Sequence, residues 1–141
     1  MSAQDNIAVV GRFVEEVINQ GRLDVCDEIV AENFIELDPL PGQQQGRQGL
    51  KDVIAMMRAA FPDIDWKIDE TIAAVDKVVS RFTWTGTHRG AFLGIPATGK
   101  PVTVKGVVID RIANGRMADS RILMDTLGMM QQLGVVPSPG A

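Results

Sequence analysis

The spacing of apolar residues changes once along this chain, at Pro62, and this change limits the folds that the chain can adopt. Before Pro62 the apolar residues recur at helical intervals, and after it they alternate with polar residues, as in half-buried strands. Proline lacks a backbone N–H and disfavours helix in the residue before it, so it ends the last helical segment. Helices followed by consecutive hairpins predict an α+β fold, with the N-terminal helices packed against one face of an antiparallel sheet.

Three helices are predicted before the proline. Ser2 and Asp5 form a capping box at the start of the first helix, and Gly21 is placed to end it. The second helix is predicted over residues 23–31 and the third over residues 48–61, each with its apolar residues on one face.

Four strands are predicted after the proline, in two hairpins. They cover residues 66–75, 78–87, 102–112 and 117–124. Asp76–Lys77 is interpreted as the first hairpin turn, and Asn114–Gly115 strongly indicates the second. A short helix over residues 126–133 is expected before a flexible tail that begins near residue 135. The whole chain, residues 1–141, is predicted to be one domain whose sheet closes around a pocket for a small apolar ligand.

Charge and composition argue against several classes of function. The net charge of −4 and the absence of adjacent Lys or Arg residues argue against a nucleic-acid partner. One histidine and one cysteine cannot form a zinc site or an internal disulfide, and Cys26 is interpreted as a buried apolar side chain. We find no signal peptide and no apolar run of ~20 residues, so a cytoplasmic protein without a membrane partner is expected.

Six segments of the chain resemble the SnoaL-like polyketide cyclase family. Three of them are GTHRGAFLGIPATGKPV from Gly86, DRIANGRMADSR from Asp110 and MDTLGMMQQLG from Met124. The others are NQGRLD, AAFPDIDW and DKVVSRFTWTG. The resemblance spans nearly the whole chain, and its motifs are typical of the family rather than of any one reaction within it.

The resemblance implies a cone-shaped fold of the nuclear transport factor 2 type, in which N-terminal helices pack on a strongly curved antiparallel sheet. It implies a deep apolar cavity and commonly a dimer. It also implies an aldol ring closure on a small hydrophobic carbonyl compound, without metal or organic cofactor. The acid/base carboxylate of these cyclases stands just before the final short helix, which matches Asp125. Arg121 matches a position where related members carry a large side chain, and strand alternation places it on the face of Asp125, so Arg121 is predicted to orient Asp125. The resemblance also offers His88 of the GTHRG motif as a third catalytic residue.

Three positions depart from the cyclase pattern. The resemblance implies a glutamine and a histidine that face the substrate, and these positions match Gly106 and Val108, neither of which donates a side-chain hydrogen bond. An asparagine near the second helix matches Glu36. The acid/base chemistry is therefore carried over for Asp125 alone.

The proposed catalytic residues also have structural interpretations, which the sequence leaves open. Asp125 is a favourable N-cap for the final helix, and Arg121 suits an ordinary ion pair. A lone histidine beside a loop, such as His88, is often structural. Strand alternation places Asp119 on the same face as Arg121 and Asp125, so water activation by these three residues, and hence hydrolysis, is a further option.

The predicted ligand-binding residues are mostly aromatic, and core packing explains each aromatic side chain equally well. They are Phe13, Phe34, Glu36, Trp84, Phe92 and Val108. Steroid isomerases and epoxide hydrolases of this architecture use a tyrosine at the reacting oxygen or water, and this chain has none. The alternative to a cyclase is a non-catalytic module of the same fold that binds a small molecule or forms a dimer.

Overall fold

A five-stranded sheet forms the base of the fold, and helices pack against its inner face. The structure, a computed structural model, describes residues 2–137. Its helices are α1 (Ala3–Arg12), α2 (Cys26–Ile29), α3 (Gly46–Ala60) and α4 (Thr126–Leu133), and its strands are β1 (Val30–Glu36), β2 (Asp65–Ala74), β3 (Lys77–Thr87), β4 (Pro101–Ala113) and β5 (Arg116–Met124). The predicted α+β class is confirmed.

The first helix begins where the sequence predicts. The Ser2 hydroxyl accepts a hydrogen bond from the Asp5 N–H, and the Asp5 carboxylate accepts one from the Ser2 N–H, each at 3.1 Å, so the capping box is confirmed. After Arg12 the chain continues as a π-helix, Phe13–Asn19, whose apolar residues are buried. This wider turn is frequent at functional sites.

The sheet has the strand order β1-β5-β4-β3-β2. The pairs β2–β3, β3–β4 and β4–β5 are antiparallel, as the hairpins predict, whereas β1 is parallel to β5. Because β1 and β2 form the two edges, the sheet curves without closing, and the predicted closure of the sheet around a pocket is wrong. Helices and the loop of residues 37–45 complete the pocket instead.

Both hairpin turns are present. Asn114–Gly115 has positive φ at both residues, +53° and +76°, which a type I′ turn requires. The first turn lies one residue earlier than predicted, because Val75 and Asp76 connect the paired residues Ala74 and Lys77. Val75 takes the positive φ of +59° that this turn needs.

Strand β1 is an element that the apolar spacing does not predict. The second predicted helix, residues 23–31, ends early: a single 3₁₀ turn, Leu23–Val25, leads into α2, and the chain extends into β1 from Val30. Cys26 at the start of α2 is fully buried, and burial raises the pKa of its thiol to about 11, so its interpretation as a buried apolar side chain is confirmed.

The domain assignment and the C-terminal tail are two predictions that residues 2–137 do not test. The assignment of residues 1–141 to one domain stays a prediction, and the tail predicted from about residue 135 extends past residue 137, beyond the described range. Within that range, no helix combines the length and the apolar character needed to cross a membrane.

Candidate active site

An apolar cavity of about 90 Å³ lies between the inner face of the sheet and the helices α1 and α3. Apolar side chains from the helices and from strands β2, β4 and β5 form most of its wall, among them Phe13, Val14, Ile54, Met57, Trp66 and Ile122. Asp38 and Leu40, from the loop after β1, line its outer end. Because the Asp38 side chain is 37% exposed, the cavity reaches the surface there.

Four polar side chains lie on neighbouring strands in the wall of this cavity. Glu36 of β1 pairs with Ser120 of β5, and Ser120 pairs with Asp110 of β4. Ser80 of β3 pairs with Val108, two residues before Asp110. All four polar residues line the cavity, and none is more than 8% exposed. The strand register therefore brings two carboxyl groups and two hydroxyl groups into an apolar site.

The surroundings of Asp110 and Glu36 raise the pKa of both carboxyl groups to about 7. Burial raises the pKa of Asp110 to about 7, against the opposing effect of the Ser120 hydroxyl and with a smaller contribution from the charge of Asp119. Burial also raises the pKa of Glu36 to about 7, although the Asp38 N–H donates to its Oε2 at 3.1 Å, and the Asp110 charge adds to the rise. Carboxyl groups with such pKa values can accept and return protons near neutrality.

Two polar atoms in the cavity wall, on Asp110 and Ser80, lack a hydrogen-bond partner within the described chain. Asp110 Oδ1 and Ser80 Oγ are buried and have no hydrogen-bond partner among residues 2–137. Buried polar atoms in folded proteins almost always have such a partner. None of the lining residues is Lys, Arg or His. The site therefore suits an uncharged ligand that supplies an oxygen atom.

Asp125 lies outside this cavity. Its side chain is exposed, and its Oδ1 accepts a hydrogen bond from the Gly128 N–H at 2.8 Å, which caps α4. The predicted apolar setting is wrong for Asp125, and the alternative interpretation as an N-cap is confirmed; a catalytic role for Asp125 stays a prediction.

Arg121 does not orient Asp125. Its side chain is exposed and forms an ion pair with Asp38, with 3.4 Å between Nε and Oδ2. Asp119 accepts a hydrogen bond from Arg111 at 2.7 Å on the outer face of the sheet. Because Arg121 and Asp119 are engaged there and Asp125 caps a helix, the three residues do not form the water-activating group that strand alternation allowed.

A β-bulge explains why these residues face outwards. Ile112 pairs with Met117, but the preceding residue, Arg111, pairs with Asp119, so Ala118 is an extra residue in β5. Each extra residue moves the following side chains to the opposite face of the sheet. The even-numbered residues of β5 after the bulge therefore face the cavity, and the odd-numbered residues face outwards.

His88 is buried in the core beside the loop that follows β3. Its Nδ1 accepts a hydrogen bond from the Thr98 N–H at 3.2 Å, and its ring stacks on Phe61 with 5.5 Å between ring centroids. It is fully buried and does not line the cavity. The structure therefore does not bring His88 to the cavity, and its contacts hold the loop; a catalytic role for His88 stays a prediction.

The predicted ligand-binding residues divide into two groups. Phe13, Glu36 and Val108 line the cavity, whereas Phe34, Trp84 and Phe92 do not. These last three are at most 1% exposed and pack in the core, where the Phe61 ring lies 4.9 Å from Trp84 and 5.3 Å from Phe92. Core packing, the alternative interpretation, is confirmed for them.

Gly106 could not carry a larger side chain in this structure. A Cβ atom there would lie 2.5 Å from the Phe82 ring and 2.4 Å from the Leu123 carbonyl oxygen. The Phe82 ring therefore fills the space that a polar side chain at this position would need. The polar groups of the cavity come instead from Asp110, Ser80 and Ser120, which the sequence did not single out. One signal was available for Asp110, because it shares the strand face of Gly106 and Val108.

Comparisons with known proteins agree with this architecture. The family model of the SnoaL-like polyketide cyclases matches residues 8–133. The nogalonic acid methyl ester cyclase of Streptomyces nogalater is 26% identical over 124 residues, which are 82% of this chain and 88% of the relative. The aklanonic acid methyl ester cyclase DnrD of Streptomyces peucetius is 27% identical over 138 residues, 95% of this chain and 92% of the relative.

A solved structure shows the same fold. TsrD from Streptomyces laurentii superposes with a TM-score of 0.88 at 26% identity, covering 96% of this chain and 99% of its own. The family model extends from α1 to α4 and so includes every element that lines the cavity. The chain therefore belongs to the SnoaL-like polyketide cyclase family, with the fold of the nuclear transport factor 2 type that its sequence predicts.

Proposed function

We propose that the chain is a cyclase-type enzyme that carries out acid/base chemistry, an aldol ring closure or an enolisation, on a small hydrophobic carbonyl compound. The observation that carries the proposal is the pair of carboxyl groups, Asp110 and Glu36, with pKa values near 7 in the wall of an apolar cavity. Two relatives named as methyl ester cyclases support ring closure as the reaction.

Asp110 is the acid/base group in this proposal. Asp110 lines the cavity and its Oδ1 has no hydrogen-bond partner among residues 2–137, whereas Glu36 already accepts a hydrogen bond from the Asp38 N–H. The Asp110 carboxylate takes a proton from the carbon beside a ketone; the C–H electron pair becomes the enolate, and the negative charge moves to the carbonyl oxygen. Because the charge of Asp110 raises the pKa of Glu36, the two groups disfavour simultaneous ionisation.

Ring closure then needs no further reactant. The enolate carbon attacks a second carbonyl carbon of the same molecule, a C–C bond forms, and the C=O electron pair moves to the oxygen. Protonated Asp110 returns its proton to this alkoxide, so the product is an isomer of the substrate and the carboxylate is restored. One carboxyl group can serve as base and then as acid because its pKa lies near the working pH.

Aklanonic acid methyl ester and nogalonic acid methyl ester are the first substrates to test, because relatives are named for them. We expect a product of unchanged mass and altered chromatographic retention. In D₂O, exchange of the hydrogens beside the ketone for deuterium reports enolisation even where the ring does not close. The same exchange assay can then be applied to a wider panel of uncharged ketones. Binding without exchange or ring closure would support the non-catalytic module instead.

We also propose that the chain forms a homodimer through the outer face of β1, β5 and β4. Leu123 is 67% exposed and pairs with Val107, which is 41% exposed, and Ile35 on β1 is 50% exposed. Val107 and Leu123 therefore form an exposed apolar patch across β4 and β5, and Ile35 lies farther along the same outer face, beside Asp119. Exposed apolar patches mark interfaces in soluble proteins.

Replacing Leu123 with glutamate should convert such a dimer into a monomer. The substitution places a charge in the middle of the apolar patch, where it would lose its hydration in a dimer. Light scattering coupled to size-exclusion chromatography measures the mass directly. Val75→Glu is the matched control, since Val75 is 92% exposed at the tip of the first hairpin and outside the patch. A wild-type protein that is monomeric at all concentrations would reject the proposed dimer.

A further inference from the structure

Ser80 is a buried serine whose hydroxyl forms no hydrogen bond with residues 2–137. It is 1% exposed, it lies on β3 in the cavity wall, and its Oγ has no hydrogen-bond partner within the described chain. Asp110 on the adjacent strand is 3% exposed, and its Oδ1 also lacks a hydrogen-bond partner within the described chain. A buried polar atom without a partner costs stability, so two of them in one cavity indicate a bound group that supplies the missing contacts.

The strand register places Ser80 and Asp110 close enough for one ligand atom to fit between their side chains. Ser80 pairs with Val108, and Asp110 follows Val108 by two residues on the same face, so Ser80 and Asp110 are diagonal neighbours. Diagonal neighbours in antiparallel strands lie about 7–8 Å apart. This spacing leaves room between their polar ends for an oxygen atom. Val108 and its other partner, Ile122, complete an apolar surface beside that position.

We propose that Ser80 is a catalytic residue whose hydroxyl donates a hydrogen bond to the carbonyl oxygen of the substrate, beside the carboxyl group of Asp110. The inference rests on the proposed function and adds to it a donor for the enolate oxygen. A fixed donor at this oxygen stabilises the enolate more than the ketone, because the negative charge develops there. Because three carboxyl residues, Glu36, Asp38 and Asp110, and no cationic residue line the cavity, the site takes neutral carbonyl compounds, enols and phenols and disfavours carboxylates.

Two fluorinated compounds of nearly equal shape test this donor. 4-Fluorophenol presents one oxygen atom, as an enolate does, and 4-fluorotoluene replaces that oxygen with a methyl group. We would titrate both into wild-type protein, Ser80→Thr and Ser80→Val, following ¹⁹F NMR. Threonine and valine have the same shape, but only threonine keeps the hydroxyl. We expect Ser80→Val to bind 4-fluorophenol about tenfold more weakly than Ser80→Thr, the effect of about one hydrogen bond, with equal affinities for 4-fluorotoluene.

A stability measurement separates this function from a structural one. Because the hydroxyl has no partner to lose, Ser80→Ala should unfold at the same temperature as wild-type protein or at a higher one. A clear fall in Tm would show that the hydroxyl supports the fold and would overturn the inference. So would equal affinities of the threonine and valine variants for 4-fluorophenol. If neither compound binds wild-type protein, the cavity is not a ligand site, and the proposed function fails with the inference.

Discussion

Replacing Asp110 with asparagine should lower the rate of ring closure or of deuterium exchange by about 10³-fold, within the range found for loss of a general base. Asparagine keeps the shape of the side chain but cannot take a proton from carbon. The cavity and its apolar lining remain, so we expect KM to change little and the loss to appear in kcat. Stopped assays by chromatography and exchange followed by NMR measure both parameters.

Asp125→Asn is the matched control for this experiment. The substitution is chemically the same, but Asp125 caps α4 at the surface, and asparagine is as good an N-cap as aspartate. Its activity should therefore equal that of wild-type protein. The opposite result, with an inactive Asp125→Asn and an active Asp110→Asn, would show that the carboxylate implied by the family resemblance is the catalytic one. It would also require Asp125 to leave the helix cap when substrate binds.

Glu36→Gln tests how the two carboxyl groups divide the chemistry. The charge of Asp110 contributes to the raised pKa of Glu36, so the two groups interact. If Asp110 is the base, removing the charge of Glu36 should shift the pH–rate profile to lower pH and retain most of the maximal rate. A loss as large as that of Asp110→Asn would assign the proton transfer to Glu36 or to the pair.

Local patterns are sufficient to predict most of the helices and hairpins of this fold. The capping box at Ser2, the turn at Asn114–Gly115 and the helix over residues 126–133 each depend on residues adjacent in sequence. Strand β1 was missed because it pairs in parallel with β5, which lies far along the chain. Its own residues, VAENFIE, carry too weak an alternation to separate it from the end of a helix.

The prediction of which β5 residues line the candidate site failed because the pairing of β4 with β5 shifts by one residue at a bulge. Met117 is buried, and simple alternation from it places Arg121 and Asp125 on the inner face. The bulge at Ala118 reverses this assignment, so Ser120 and Ile122 line the cavity instead. No turn or proline in the sequence marks the bulge, which shows only when β4 and β5 are paired. The faces of β5 could therefore not be predicted from its own residues.

Asp110 was accessible to sequence reasoning but was not identified. It shares a strand face with Gly106 and Val108, the two positions that the family resemblance directs towards the substrate. It stands close to the hairpin turn, where an aspartate is ordinarily interpreted as a solvated loop residue. Its burial arises from β1, β3 and β5 on both sides of β4, and that is a property of the tertiary structure.

The free energy of unfolding should decrease as the pH rises from about 4 to about 7, because both buried carboxyl groups bind protons more tightly in the folded protein than in the unfolded chain. Their pKa values rise from 3.8 and 4.5 to about 7 in the fold. In that interval the folded protein keeps protons that the unfolded chain has lost. Above pH 7 the protein must bury charge, and the stabilisation present at low pH is lost. For Asp110 alone the difference is on the order of 4 kcal/mol.

Asp110→Asn should remove most of this dependence. Asparagine does not titrate, so the variant should be more stable than wild-type protein at about pH 8, and more stable by a smaller margin at about pH 5. Urea unfolding of both proteins at the two pH values gives the four free energies required, and Asp125→Asn, an exposed position, should follow wild-type protein. A wild-type stability that is constant or rises over this interval would mean that Asp110 is ionised and hydrated in the folded state. Its pKa would then lie too low for a base that must also return its proton, so the same measurement tests the catalytic assignment before any substrate is known.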